Sequence, residues 1–211
     1  MSEPVTLVHL VRHGEVHNPG KVLYGRLPGF GLSVAGRRMA VVATAFLAGR
    51  DVVGLWSSPL ERAQQTAAPL AAAFDLPVRL DDRLLESASH FEGRTVAGAR
   101  SFLDPAAWPL LANPFRPSWG EPYAEVAARM MSVVADARDG ARGHEAVLVT
   151  HQLPVYVLRR HVEGRPLWHR PDRRQCALAS VTTLRFAGER IVGVTYAEPA
   201  GHAEQPGPPG A

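Results

Sequence analysis

The sequence predicts an α/β protein built on a mostly parallel sheet, and three observations carry that expectation. The runs Val5 to Val11 and Ala146 to Thr150 are apolar enough to be buried on both faces, as strands of a parallel sheet are. Each run stops abruptly at a histidine, in Arg12-His13-Gly14 after the first and at His151 after the second. Between them, short β-branched runs alternate with stretches of helical periodicity, the order of strand, crossover and parallel strand. A chain of 211 residues is long enough for one well-buried domain, assigned to residues 1–198.

Taken in order, Val5 to Val11 is the first strand. Gly14 to Gly31 is rich in Gly and Pro and lacks periodicity, so it reads as a long loop, and loops of that length in compact domains are usually functional. Ser33 offers an N-cap to a helix from Val34 to Ala48, in which Met39, Val42, Ala43, Phe46 and Leu47 recur at helical spacing until Gly49 ends it. Asp51 to Trp56 is a second strand, stopped by Ser57-Ser58-Pro59. Leu60 to Phe74 is a second helix, which Pro69 is expected to kink or interrupt. Pro77 to Leu80 is a weaker third strand, with Glu86 just beyond it. Over residues 87–118 the periodicity fails, and an insertion of short helical pieces is expected there, packed over the active end of the sheet. Glu121 to Arg138 is an amphipathic helix with Val126, Met130, Val133 and Val134 on one face. After the strand Ala146 to Thr150, Pro154 suits the first turn of a helix that runs to about Val162. Gln175 to Phe186 and Arg190 to Tyr196 alternate well enough for a terminal hairpin, and the tail 199–211 is too rich in Pro and Gly to fold.

Composition narrows the function. Apolar residues at 46% and charged residues at 20% are those of an ordinary globular protein, and no apolar run is long enough to span a bilayer. Met1-Ser2-Glu3-Pro4 offers neither basic residues nor an apolar leader, so a cytoplasmic location without membrane contact is expected. Cys176 stands alone and forms no internal disulfide. The formal net charge of +3 rests on scattered Arg, with Lys21 the only Lys, which hints at anionic ligands. No basic patch interleaved with aromatics is present, so nucleic acid is not expected. The Arg-rich stretch Arg159, Arg160, Arg165, Arg170, Arg173 and Arg174 reads first as solvated surface and second as an anion site or a nucleic-acid contact. His17, His90, His144, His161, His169 and His202 read as surface or packing residues. No His and carboxylate set has metal-ligand spacing, and neither a metal nor another cofactor is expected.

His13, Arg62, Glu86 and His151 each follow a predicted strand directly or after a short turn, and in a mostly parallel sheet those ends lie side by side. Arg12 joins them. Paired guanidinium groups recognise phosphate oxygens through planar, multiple hydrogen bonds and do not deprotonate. Phosphoryl transfer asks mainly for positioning and for neutralised charge on the equatorial oxygens, which Arg12, Arg62 and His151 can supply. Neighbouring cations favour the neutral form of His13, whose lone pair can attack phosphorus, and Glu86 is the carboxyl available to protonate the leaving alcohol.

These residues stand in ordered motifs: Leu10-Val11-Arg12-His13-Gly14-Glu15, Tyr24-Gly25-Arg26-Leu27-Pro28-Gly29, Ser57-Ser58-Pro59-Leu60-Glu61-Arg62-Ala63, Leu85-Glu86 and Val147-Leu148-Val149-Thr150-His151. Together they resemble the histidine phosphatase superfamily, also called the phosphoglycerate mutase-like family, over roughly Val5 to His151. The resemblance implies a three-layer α/β/α sandwich and a transient phosphohistidine at His13. It also implies a phosphate pocket of Arg12, Arg62 and His151, with Glu86 as proton donor.

Three departures from the family pattern bear on the site. The family's usual Asn falls one position later than Asn18 does here. Gln152 and Leu153 replace the usual Gly-Gly, placing a bulkier pair where it can narrow the pocket or contact substrate. Ser87-Ala88-Ser89-His90 follows Glu86 in place of apolar and Gly residues. The expected activity is metal-independent hydrolysis of a small phosphomonoester. Arg12, Arg62, His151, Asn18, Gly25, Arg26 and Gln152 are the candidate substrate contacts, and a small phosphorylated metabolite is the expected partner. A mutase that returns the phosphoryl group to substrate, a non-catalytic phospholigand-binding protein, and a homodimer remain open options.

Overall fold

The computed structural model describes residues 4–95, 120–170 and 173–201. In chain order the elements are β1 (Val5–Arg12), α1 (Val34–Leu47), β2 (Val52–Ser57), α2 (Glu61–Phe74), β3 (Val78–Leu80), α3 (Tyr123–Gly140), β4 (Glu145–Thr150), α4 (Gln152–Val162), β5 (Val181–Ala187) and β6 (Arg190–Ala197). The six strands form one sheet in the order β3-β2-β4-β1-β5-β6. The first four of these are parallel, and the β5–β6 hairpin adds antiparallel to β1.

Alternation along the strands sends side chains to two cores. Val8 and Leu10 of β1 and Ala146 and Leu148 of β4 face α3 and α4, where Val126, Met130, Val133, Val134, Val157 and Leu158 close the layer. Val11, Val147 and Val149 face the other way, toward Met39, Ala43 and Leu47 of α1 and Ala63, Ala67 and Leu70 of α2. The outcome is the expected three-layer α/β/α sandwich. Among the described residues no helix is long and apolar enough to cross a membrane.

The crossovers decide what the sheet presents. From β1 the chain passes through α1 to β2 and leaves a gap that β4 later fills, so β4 lies between β1 and β2. In register, Arg12 pairs with Thr150 and Val149 with Ser57, which brings the C-terminal ends of three strands level. Backbone bonds extend the ladder past the strands, with His13 N–H donating to Thr150 O (3.0 Å) and Ser58 N–H to Val149 O (2.9 Å). Gly14 and Gly36 let the first turn of α1 press against the turn after β1. A Cβ on Gly14 would collide with the Gly36 carbonyl, and one on Gly36 with the Glu15 carbonyl.

Two expectations about elements need correction. Helix α2 runs unbroken through Pro69. Its buried residues Ala63, Thr66 and Ala67 precede the proline and Leu70 follows it, so packing on both sides offsets the ~3 kcal/mol that proline costs inside a helix. The hairpin begins at Val181 and not at Gln175, because β5 pairs with β1 only as far as Val11↔Val181. Beyond that point Arg12 N–H donates to Ser180 O and the chain turns away across the end of the sheet. Of the expected insertion over 87–118, residues 96–118 lie outside the described residues, as do most of the tail 199–211 and the aromatics Trp108, Phe115 and Trp119.

Candidate active site

At the C-terminal ends of β1, β2 and β4 lies a cavity of about 340 Å³, lined among others by Arg12, His13, Tyr24, Gly25, Glu86, Tyr123, Gln152 and Arg174. That volume suits a small ligand.

His13 is 2% exposed, and its Nδ1 lies 2.7 Å from the Gly14 carbonyl oxygen. A carbonyl can only accept, so Nδ1 carries the proton and the neutral ring keeps its lone pair on Nε2. Burial, then the charges of Arg12 and Arg62, hold the imidazole well below its ordinary pKa and therefore neutral. The turn that carries it is fastened to α2, because Thr66 Oγ1 accepts from Gly14 N–H at 3.1 Å and donates to Arg62 O at 2.8 Å.

His151 is fully buried, its ring centroid 5.1 Å from that of His13. Ser58 Oγ accepts from Leu60 N–H at 3.4 Å and lies 2.8 Å from His151 Nε2, a contact in which either atom can donate. His151 Nδ1 is buried with no partner. Burial, followed by the proximity of His13, Arg62 and Arg12, keeps this ring neutral too.

Arg62, 1% exposed near the start of α2, donates from one Nη to Gly25 O at 2.6 Å and lies over the Tyr24 ring at 4.7 Å. Arg12 donates from one Nη to Cys176 O at 2.5 Å. The Nε of each guanidinium is buried without a partner, like His151 Nδ1. An unpartnered buried N–H costs about 1–3 kcal/mol, so the two guanidinium Nε–H groups, whose charges act on the His13 imidazole, suit an acceptor-rich ligand.

Glu86 lines the cavity with Oε1 accepting from Ser87 N–H at 2.9 Å. Burial raises its carboxyl above the ordinary Glu value, against the opposing Ser87 N–H and the charges of Arg62, Arg12 and Arg174. Among the described residues, no three His, Cys, Asp or Glu side chains gather as a group able to hold a metal ion.

The structure thus gathers His13, Arg12, Arg62, Glu86 and His151 at one end of the sheet, with Gly25 and Gln152 at the cavity wall. Asn18 and Arg26 stand elsewhere. The Asn18 amide donates to Val22 O at 2.8 Å and accepts from Val22 N–H at 3.0 Å, so it closes its own loop. Arg26 Nε donates to Glu86 O at 2.6 Å and one Nη pairs with Glu121 at 3.1 Å, which fastens the segment that carries Glu86. Sequence patterns assign no site role to Ser58, Tyr24 or Tyr123. The first two sit inside the quoted motifs, and Tyr123 falls within the helix expected from Glu121. Arg174 belongs to the arginine-rich stretch whose second reading is an anion site.

The fold and this arrangement define a histidine phosphatase-type site, and the chain belongs to the histidine phosphatase superfamily (branch 1), whose family model matches residues 8–199. Among its relatives, the uncharacterized protein Rv0525 of Mycobacterium tuberculosis is 56% identical, covering 92% of this chain and 97% of its own. A glucosyl-3-phosphoglycerate phosphatase of Mycolicibacterium vanbaalenii is 31% identical, covering 96% of this chain and 87% of its own. The solved structure of a mycobacterial glucosyl-3-phosphoglycerate phosphatase superposes with a TM-score of 0.73 at 28% identity, over 92% of this chain and 96% of that one. YhfR of Bacillus stearothermophilus gives 0.76 at 26% identity, over 88% and 94%.

Proposed function

We propose that this protein is a metal-independent phosphatase that hydrolyses a small phosphomonoester through a phosphohistidine at His13. The observation that carries the proposal is the pair of buried, unpartnered guanidinium donors, Arg12 Nε and Arg62 Nε, whose charges act on an imidazole with its lone pair confined to Nε2 and the His151 ring packed beside it. In the first half-reaction Nε2 attacks phosphorus and the ester P–O bond breaks. The donors take up charge on the equatorial oxygens, and the Glu86 carboxyl protonates the departing alkoxide. In the second, the Glu86 carboxylate takes a proton from water as it attacks phosphorus, the P–N bond breaks, and His13 recovers its lone pair as phosphate leaves. The phosphatase relatives support the reaction class.

The test is turnover of an aryl phosphate by wild type and His13→Ala, with acid quench to trap a phosphoenzyme. Turnover and an acid-labile, alkali-stable label are expected in wild type only. A label that persists in His13→Ala removes that residue from the role. Transfer of the label to an added alcohol in preference to water would make the protein a mutase. Binding of inorganic phosphate without turnover of any ester would make it a binding protein.

A further inference from the structure

The phosphoryl end of the cavity leaves one cation on its wall unexplained. Arg174 comes from the segment between α4 and β5, yet it lines the same cavity as His13 and Glu86, and its charge acts on the Glu86 carboxyl. It is not a loose surface arginine. Its Nε donates to His169 Nε2 at 2.8 Å. His169, 7% exposed, has its Nδ1 2.7 Å from Leu167 O, so Nδ1 bears the proton and Nε2 is the acceptor that Arg174 requires. The imidazole is gripped by two tyrosines: Tyr123 stacks on it at 5.1 Å between centroids, and Tyr156 meets it edge-on at 4.7 Å. Behind them the buried Arg160 donates to Pro166 O at 2.5 Å and to Trp168 O at 3.4 Å, fixing the backbone on both sides of Leu167.

A buried histidine in one tautomer, wedged between two rings, is a costly mount for a cation that merely faces solvent. Of the other charges on the wall, Arg12 and Glu86 belong to the proposed phosphoryl chemistry, and Glu92 accepts from Ser89 N–H at 3.2 Å. Glu121 forms a two-pronged pair with Arg129, at 2.6 and 3.0 Å, and also holds Arg26. Arg174 reaches the cavity from a different segment than the phosphate clamp, with its Nε edge occupied. The guanidinium fork suits a planar or tetrahedral oxyanion.

We propose that Arg174, mounted on His169, is a specificity-determining residue that binds a second anionic group on the alcohol half of the substrate. The preferred substrates are then phosphomonoesters that also bear a carboxylate or another phosphate. His169 is the positioning residue: it holds Arg174 and touches no substrate. The assignment rests on the phosphatase reading and deepens it.

The experiment compares kcat and KM for esters matched except in that group. Phosphoglycerate is set against glycerol phosphate for the carboxylate, and fructose bisphosphate against fructose monophosphate for the second phosphate. Wild type is expected to favour at least one charged member by about tenfold or more in kcat/KM, the scale of one charge-assisted hydrogen bond. Arg174→Met is expected to erase that preference chiefly through KM, costing the charged ester about tenfold more than its neutral match. His169→Phe keeps a ring between the tyrosines but offers no acceptor, and should reproduce the effect. His169→Gln, which can still accept from Arg174, should restore most of the preference. Equal losses on matched esters, or no preference in wild type, overturn the assignment while the phosphatase reading stands. If no ester turns over, the phosphatase reading falls. The matched pairs are then compared by calorimetry, where equal affinities in wild type overturn the role of Arg174 as well.

Discussion

The two ends of the cavity are held in place by different means. At the phosphoryl end, Arg12, His13 and His151 stand on or just beyond β1 and β4, and Arg62 on the first turn of α2 after β2, where parallel pairing sets the backbone level. At the other end Glu86, Arg26, Glu121 and Arg174 come from segments outside the sheet, joined by side-chain bonds such as Arg26 to Glu86 O and Arg129 to Glu121. One end is fixed by the sheet and the other is assembled from loops. On the proposed reading, the group transferred is therefore read by rigid strand ends and the alcohol by parts that vary more freely.

That contrast predicts which losses depend on the ester and which do not. His13→Ala should cut turnover by about four orders of magnitude or more on every ester alike, as seen when a nucleophile is removed, and steady-state assays on two unlike esters check it. Arg62→Lys keeps the charge but loses the planar donors. A fall of about 10²–10³-fold in kcat/KM, again independent of the ester, is expected, with folding checked by circular dichroism. Glu86→Gln should cost about 10²-fold in kcat/KM, which reports the first half-reaction, on alkyl esters and far less on aryl esters, whose leaving groups need little protonation. Its pH profile supplies the sign. The proposed chemistry requires neutral His13, so kcat/KM is expected to rise with pH through a value below the ordinary histidine pKa. It also requires protonated Glu86, so kcat/KM is expected to fall with pH through a value above the ordinary Glu pKa. Glu86→Gln should abolish the falling limb and leave the rising one. Arg26→Met, which unfastens the Glu86 segment, should cost about tenfold or less on alkyl esters and about 1 kcal/mol of stability in urea titration. Chelation with EDTA should change nothing measurable, and activity that is lost and then restored by a divalent ion would break the proposed chemistry. If Glu86→Gln and Arg26→Met reduced all esters equally, the division between the two ends would not hold.

The same contrast explains which features the amino-acid order reveals. The strand runs, their level ends and the motifs that follow them are local patterns, so β1, β4 and the residues His13, Arg62 and His151 are legible in the sequence itself. Glu86 is legible by its place after β3. Arg174 is legible only as part of a stretch whose second reading is an anion site, because singling it out depends on an acceptor at His169, two tyrosines from separate helices, and a cavity that gathers distant segments. The expected solvated reading of the arginine-rich stretch holds for the exposed Arg165 and Arg173 and fails for the buried Arg160. Pro69 misleads for a similar reason, since propensity is local and the packing that overrides it is not.

The pinch at the base of the first loop has a consequence for how such a site can change. His17 N–H donates to Gly31 O at 2.9 Å, Ser33 N–H to Glu15 O at 2.9 Å, and Val16 bridges Leu32, just above the contact of Gly14 with Gly36. The segment between His17 and Gly31 is therefore a cassette with sealed ends. It supplies Leu23, Tyr24 and Gly25 to the cavity, and its length can be altered at an entropic cost of about 0.6 kcal/mol per doubling while the sealed ends hold the turn of His13. New substrate preferences can be tried in that cassette, by selection or by design, as long as Gly25 and Arg26 keep their bonds to Arg62 and to the Glu86 carbonyl, on which the proposed chemistry depends.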